Sequence, residues 1–182
     1  MKYFTSTLLV FVFASSAAVS FAQDAAPPAP GPELDVFKAE VGTWDVEITV
    51  FVDPEHPETS KGKETNRMLG GFWLLTNFEG KMMGMDFKGH GMYGYDTEKK
   101  QYVGTWVDSV SSKKMEMVGT HDAASRTMTY EGMASGPDGK ATKHVLKTQY
   151  TDDGGRVMTM HMQADEAMIK IFEMNYTKAA AE

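Results

Sequence analysis

The sequence predicts an all-β protein: an antiparallel up-and-down β-barrel of about ten strands, led by a short N-terminal helix. Three observations carry this. Side chains alternate with a period of two in one short run after another, the separators have turn chemistry, and no segment of helical period intervenes. Short connections imply antiparallel neighbours, and closing the sheet removes edges that would invite aggregation. A two-sheet sandwich is the structural alternative.

The chain has 182 residues and opens with Lys2, an apolar run from Leu8 to Val19 broken only by Ser15 and Ser16, and Ser20-Phe21-Ala22. A positive start, an apolar run and small residues at the two peptidase positions read as a signal peptide over 1–22, cleaved after Ala22. The expected destination is the periplasm or the exterior. The apolar run is about a dozen residues, short of the roughly 20 that span a hydrocarbon core, so no integral membrane segment is expected after cleavage. Residues 23–32 place Pro27, Pro28, Pro30 and Pro32 among alanines and read as an extended linker. Residues 33–178 form the single expected domain, and 179–182 a disordered tail.

Glu33 to Val41 puts acids in its first turn and Leu34, Phe37 and Val41 at helical spacing, with Gly42 as the stop. From Trp44 the period is two, with Trp44, Val46, Ile48, Val50 and Val52 on one face and Asp45, Glu47 and Thr49 on the other. Further strands are expected at 63–69, 72–80, 87–95, 101–108, 114–121, 127–132, 143–150, 156–163 and 169–176. Leu69-Gly70-Gly71, Asp96-Thr97-Glu98-Lys99, Gly136-Pro137-Asp138-Gly139 and Asp152-Asp153-Gly154-Gly155 are turn sequences. Gly89 and Gly91 alternate inside one strand, where β-propensity favours branched side chains. A barrel bend or a large aromatic ring laid across the backbone accounts for them better than a close ligand contact does.

Composition narrows the function classes. The formal net charge is −7, and loss of Lys2 with the signal makes it −8, so nucleic acid and anionic lipid are poor partners. There is no cysteine, hence no disulfide and no lipidated N-terminal cysteine. The sequence has no Gly-x-Ser-x-Gly elbow, no phosphate-binding glycine loop and no HExxH. No catalytic residue and no cofactor is therefore assigned, and the oligomeric state is left open.

Gly42-Thr43-Trp44 after a helix resembles the glycine-x-tryptophan opening of lipocalins, fatty-acid-binding proteins and haem-binding nitrobindins, in which the tryptophan closes one barrel end. Gly104-Thr105-Trp106 repeats the triplet. A longer set is more specific: Arg67-Met68-Leu69-Gly70-Gly71, then 87–96 (FKGHGMYGYD), then 102–109 (YVGTWVDS), with the closing segment 170–178. Together these resemble the bacterial family called domain of unknown function 1579. The resemblance spans 37–178, implies a lipocalin-like (calycin-type) barrel and brings no activity with it.

Fifteen methionines are the compositional oddity. Met158, Met160 and Met162 share one strand face and Met115 with Met117 another. Core filling, a soft lining for a hydrophobic guest, and a copper(I) site are the three readings. Copper is weakened because His161 points away from its three methionine neighbours. A haem ligand would come from His90, His121 or His161. The loop Asp53-Pro54-Glu55-His56-Pro57-Glu58 matches no calcium-loop spacing. Trp106 and Asp108 share a face, a buried tryptophan beside a carboxylate that can orient the next turn. The expected function is binding of a small hydrophobic molecule in the barrel, with Trp44, Tyr93, Trp106, Asp108, Met115, Met117, Met158, Met160 and Met162 as candidate ligand-binding residues. The rival is an interaction module whose barrel is filled by its own side chains.

Overall fold

A computed structural model describes residues 29–136 and 138–180. The expected signal peptide, the linker up to residue 28 and the last two residues of the tail lie outside them. A 3-10 turn over Pro32–Leu34 leads into α1 (Asp35–Lys38), which is followed by ten strands: β1 (Gly42–Val50), β2 (Glu58–Leu69), β3 (Trp73–Met82), β4 (Met85–Asp96), β5 (Gln101–Asp108), β6 (Met115–Asp122), β7 (Thr127–Ser135), β8 (Ala141–Tyr150), β9 (Arg156–Ala164) and β10 (Ala167–Lys178). Each strand pairs antiparallel with the next, and β1 pairs with β10 to close the barrel. The all-β fold expected from the alternation is the fold observed, as a closed barrel rather than a sandwich.

The period-two reading of β1 holds in detail. Trp44, Val46, Ile48 and Val50 are buried, and Asp45 and Glu47 lie outside. Several boundaries differ from expectation, two of them on either side of the first loop. The strand stops at Val50, ahead of a loop containing Pro54 and Pro57, and leaves Val52 68% exposed. β2 starts five residues before expected, because Val50 pairs with Glu58 and a polar stretch can join a ladder without any hydrophobic alternation. The helix is shorter than the 33–41 pattern. After Lys38 the Glu40 and Val41 amides close tight turns on the Phe37 and Lys38 carbonyls, while the Glu40 carbonyl accepts from the Trp44 and Asn66 side chains.

This N-terminal segment seals one end of the barrel. Leu34 and Phe37 pack with Leu74, Tyr102 and Tyr130, and the Phe37 ring meets Tyr102 edge-on at 5.8 Å. The Tyr102 hydroxyl donates to the Glu33 carbonyl at 2.8 Å. At the opposite end lie the β1–β2, β3–β4, β5–β6, β7–β8 and β9–β10 connections. Each carries exposed apolar side chains in or beside it: Val52, Met83 and Met85, Val110, Met133, and Met168 with Ile169.

Large rings lie on glycines of the inner face. A Cβ built on Gly89 would fall 2.1 Å from Trp106 Cζ2, and one on Gly104 would fall 2.7 Å from Tyr93 Cδ1. At Gly91 the near atoms are Thr76 Oγ1 and the Tyr93 ring, so aromatic rings laid across the strands account for all three glycines without any ligand. The Gly89→Ala variant is expected to lose about 1–3 kcal/mol through overpacking, measured by urea unfolding, with a changed near-UV signal from Trp106. An unchanged midpoint and spectrum would show that the ring is free to move.

Candidate functional site

The inward faces of the strands enclose a cavity of about 600 Å³. Its walls are chiefly apolar: Leu74, Phe78, Phe87, Trp106, Met115, Met117, Met128, Leu146, Met158, Met160, Phe172 and Met174. Alternation explains the set, because one residue in two along every strand points inward. Methionine suits such a wall, being unbranched and soft enough to follow an irregular surface. At the open end the lining continues into Val110, Ser111, Lys113, Lys114, Met133 and Ser135.

At the sealed end the lining becomes polar. Arg156, the first residue of β9, is 4% exposed. Its guanidinium lies 4.4 Å from the Trp44 ring centre and 3.9 Å from that of Tyr176. Nη2 donates to Glu64 Oε1 at 2.5 Å, and Nε lies 3.5 Å from Glu40 Oε2. The two carboxylates take further donors as well. Asn66 Nδ2 donates to Glu64 Oε1 at 2.8 Å, the Tyr176 hydroxyl to Glu64 Oε2 at 3.2 Å, and the Tyr150 hydroxyl to Glu40 Oε1 at 2.5 Å. Burial works against the charge on Arg156, and Glu40 and Glu64 more than offset it, so the guanidinium is held protonated. Burial pushes the Glu64 carboxyl above its ordinary value, with Arg156 pulling back less strongly. It also pushes up the hydroxyls of Tyr93, Tyr130, Tyr150 and Tyr176, reinforced by the nearby carboxylates. These phenols stay neutral donors at any physiological pH.

Five buried side-chain polar atoms have no hydrogen-bond partner among the described residues, and three of them belong to cavity-lining residues: Thr76 Oγ1, Tyr130 OH and Arg156 Nη1. Thr76 is on β3, Tyr130 on β7 and Arg156 on β9. The Thr76 hydroxyl and the Tyr93 hydroxyl both crowd Gly91, at 2.5 Å and 2.9 Å from where a Cβ would stand. The Tyr93 and Tyr130 rings are 5.4 Å apart.

Of the nine residues singled out from sequence, Tyr93, Trp106, Asp108, Met115, Met117, Met158 and Met160 line the cavity. Trp44 does not; it lies beneath Arg156 at the sealed end, 1% exposed. Met162 does not either: it pairs with His144 towards the open end of β9 and remains partly exposed. Asp108 acts as the carboxylate that orients a turn, accepting from Trp106 Nε1 at 3.2 Å and from the Val110 amide at 3.0 Å. Asp96 caps its turn through the Glu98 and Lys99 amides.

The histidine choice is corrected. None of His90, His121 and His161 lines the cavity, whereas His144 on β8 does and is 5% exposed. His144 already falls inside the expected strand 143–150, and in β8 it lies on the face shared by Leu146 and Thr148. Its Nδ1 donates to the Thr142 carbonyl at 2.9 Å, which fixes the proton on that nitrogen. His90 bonds Asn77 on the outer surface. Among the described residues no three His, Asp or Glu side chains converge as metal ligands. Sequence reasoning missed Glu40, Glu64, Thr76, Tyr130 and Arg156.

Two measurements probe the sealed end. Arg156→Met leaves two buried carboxyl groups without their cation and is expected to cost about 3–5 kcal/mol in urea unfolding, with part recovered in Glu64→Leu/Arg156→Met; a loss below 1 kcal/mol would refute the cluster's role. The second concerns pH. A carboxyl whose folded pKa is raised holds its proton more tightly folded than unfolded. Its stabilising contribution is therefore complete below its ordinary 4.5 and fades as pH rises through the raised value. Glu64→Gln lacks this slope, so its stability relative to the parent should improve as pH increases above 4.5. A difference independent of pH would show that burial does not govern Glu64.

No curated protein matches this chain. The crystal structure of Rv2717c from M. tuberculosis superposes with a TM-score of 0.59 at 10% sequence identity, covering 84% of this chain and 100% of that one; at that identity the likeness shows the shared barrel fold. The model for the family described as "Protein of unknown function (DUF1579)" matches residues 29–178, which takes in the whole barrel, and the chain belongs to that family.

Proposed function

We propose that this protein is an exported binding protein that holds a small hydrophobic molecule inside its barrel. The observation that carries the reading is the cavity of about 600 Å³ walled by methionine, leucine and aromatic side chains, which falls within the roughly 300–1,000 Å³ of small-molecule sites. A barrel serving only as a rigid interaction module would be expected to fill that space from its own side chains, as small barrels do. Wall chemistry speaks to the kind of guest. Met115, Met117, Met128, Met158, Met160 and Met174 offer adaptable contact area without directional bonds, which suits a flexible apolar chain. The export reading rests on the signal-like residues 1–22.

For the test, the full chain is expressed in a bacterium, its product purified, and organic extracts examined by mass spectrometry; diphenylhexatriene, a hydrocarbon probe that fluoresces in apolar surroundings, is then titrated in. The expected result is saturable binding, reduced about tenfold or more by Met158→Trp, whose indole would occupy the cavity. Exclusion of the probe together with extracts free of any apolar molecule would refute the binding reading. N-terminal sequencing of the exported product should begin at Gln23, and an intact Met1 would refute export.

A further inference from the structure

We infer that the bound molecule is an amphiphile with an uncharged oxygen head, a hydroxyl or a carbonyl, seated at the sealed end of the cavity against Thr76, Tyr130 and Arg156, with its apolar chain running along the methionine wall. This rests on the binding reading above and specifies it. A buried polar atom without a partner is costly, and folded proteins retain few of them. Here three such atoms, Thr76 Oγ1, Tyr130 OH and Arg156 Nη1, come from three separate strands and belong to residues of one cavity. Each residue is at least nine-tenths buried, at 4%, 6% and 4% exposure. All three are donors, and the two hydroxyls can also accept. Orphaned groups of this kind call for an explanation, and a ligand atom that pairs with them supplies one.

Charge selects the head. Among the described residues that line the cavity, Arg156 is the only arginine or lysine at this end, and it already faces two carboxyl groups, Glu40 and Glu64, both of which also line the cavity. The lining at this end therefore leaves no positive charge over for an anion, and a carboxylate or phosphate placed here would stand beside Glu64 in a site of low dielectric. A neutral oxygen meets no such repulsion. It can take a hydrogen bond from Arg156 Nη1 and from either hydroxyl while the fold's own ion pairs stay intact. The Tyr93 hydroxyl, which crowds the same Gly91 backbone as Thr76 Oγ1, widens this polar seat. The remaining cations of the lining, Lys113 and Lys114, are at the far mouth, where the Lys114 ammonium pairs with Glu116.

The experiment displaces diphenylhexatriene with decan-1-ol, decan-2-one and decanoate, using the parent protein and the Thr76→Val/Tyr130→Phe double variant. The hydrocarbon probe has no head and reports the cavity alone. In the parent, the alcohol and the ketone should displace it at concentrations about tenfold below those of decanoate; in the double variant they should weaken by about tenfold while decanoate hardly changes. Because neither hydroxyl has a partner within the fold, the variant should melt at the parent temperature or above it. Thr76→Ser, which keeps the hydroxyl, should retain the alcohol preference. Equal weakening of all three compounds, or no weakening of alcohol and ketone, overturns the inference and leaves the binding reading intact, as does a melting temperature several degrees lower. Failure of the parent to bind the hydrocarbon probe at all overturns both.

Discussion

A single guanidinium, buried between the faces of Trp44 and Tyr176 and held by Glu40 and Glu64, ties together the parts of this barrel that the chain order keeps apart. It joins β9 to β1, β2 and β10 and draws the N-terminal segment down onto the sealed end through Glu40. A buried ion pair is weak evidence of net stability, since desolvation offsets much of the attraction. What the cluster does provide is position. With its aromatic faces and carboxylate oxygens fixed, Arg156 can point only one way, and the register of the strands that carry its partners follows.

The cavity inherits its polarity from that arrangement. Its wall is apolar because inward positions along most strands are methionine, leucine or aromatic, and its base is polar because three inward positions of β2 and β9 are Glu64, Asn66 and Arg156. Glycines contribute as well. Where Trp106 and Tyr93 lie flat against Gly89 and Gly104, the rings hug the strands and leave the middle of the barrel open. Bulkier residues at those glycines would push the rings inward and reduce the space that gives the protein its capacity for a guest.

Much of the fold was legible in the sequence because a half-buried strand writes its burial into every second residue, as from Trp44 to Val50. Asp96 and Asp108 were legible because turn chemistry is local. The base of the cavity was not. Its inward residues on β2, Glu64 and Asn66, are polar, so alternation read in the ordinary sense assigns them to solvent. Their partners are remote: Glu64 and Arg156 are 92 positions apart, and Glu40 and Tyr150 are 110. No local pattern announces a pairing over that distance. His144 was passed over for a smaller reason: it stands second in the expected strand 143–150, where the flanking Lys143 and the loop before it give no sign of which face is inward.

The seam between β1 and β10 governs how such a chain can fold. Trp44 must find Lys178, and Val46 must find Tyr176, before the barrel exists. The loop they close is nearly the length of the domain, and a search of that kind is slow, on the scale of milliseconds to seconds for all-β topologies. During it the methionine wall faces water and the first and last strands present open edges, the condition under which partly folded chains associate. Arg156 and Tyr176 both belong to the last quarter of the chain, so the carboxyl groups waiting on the earlier segments stay unpaired until synthesis is almost complete. Closure of the barrel thus waits for the last strand.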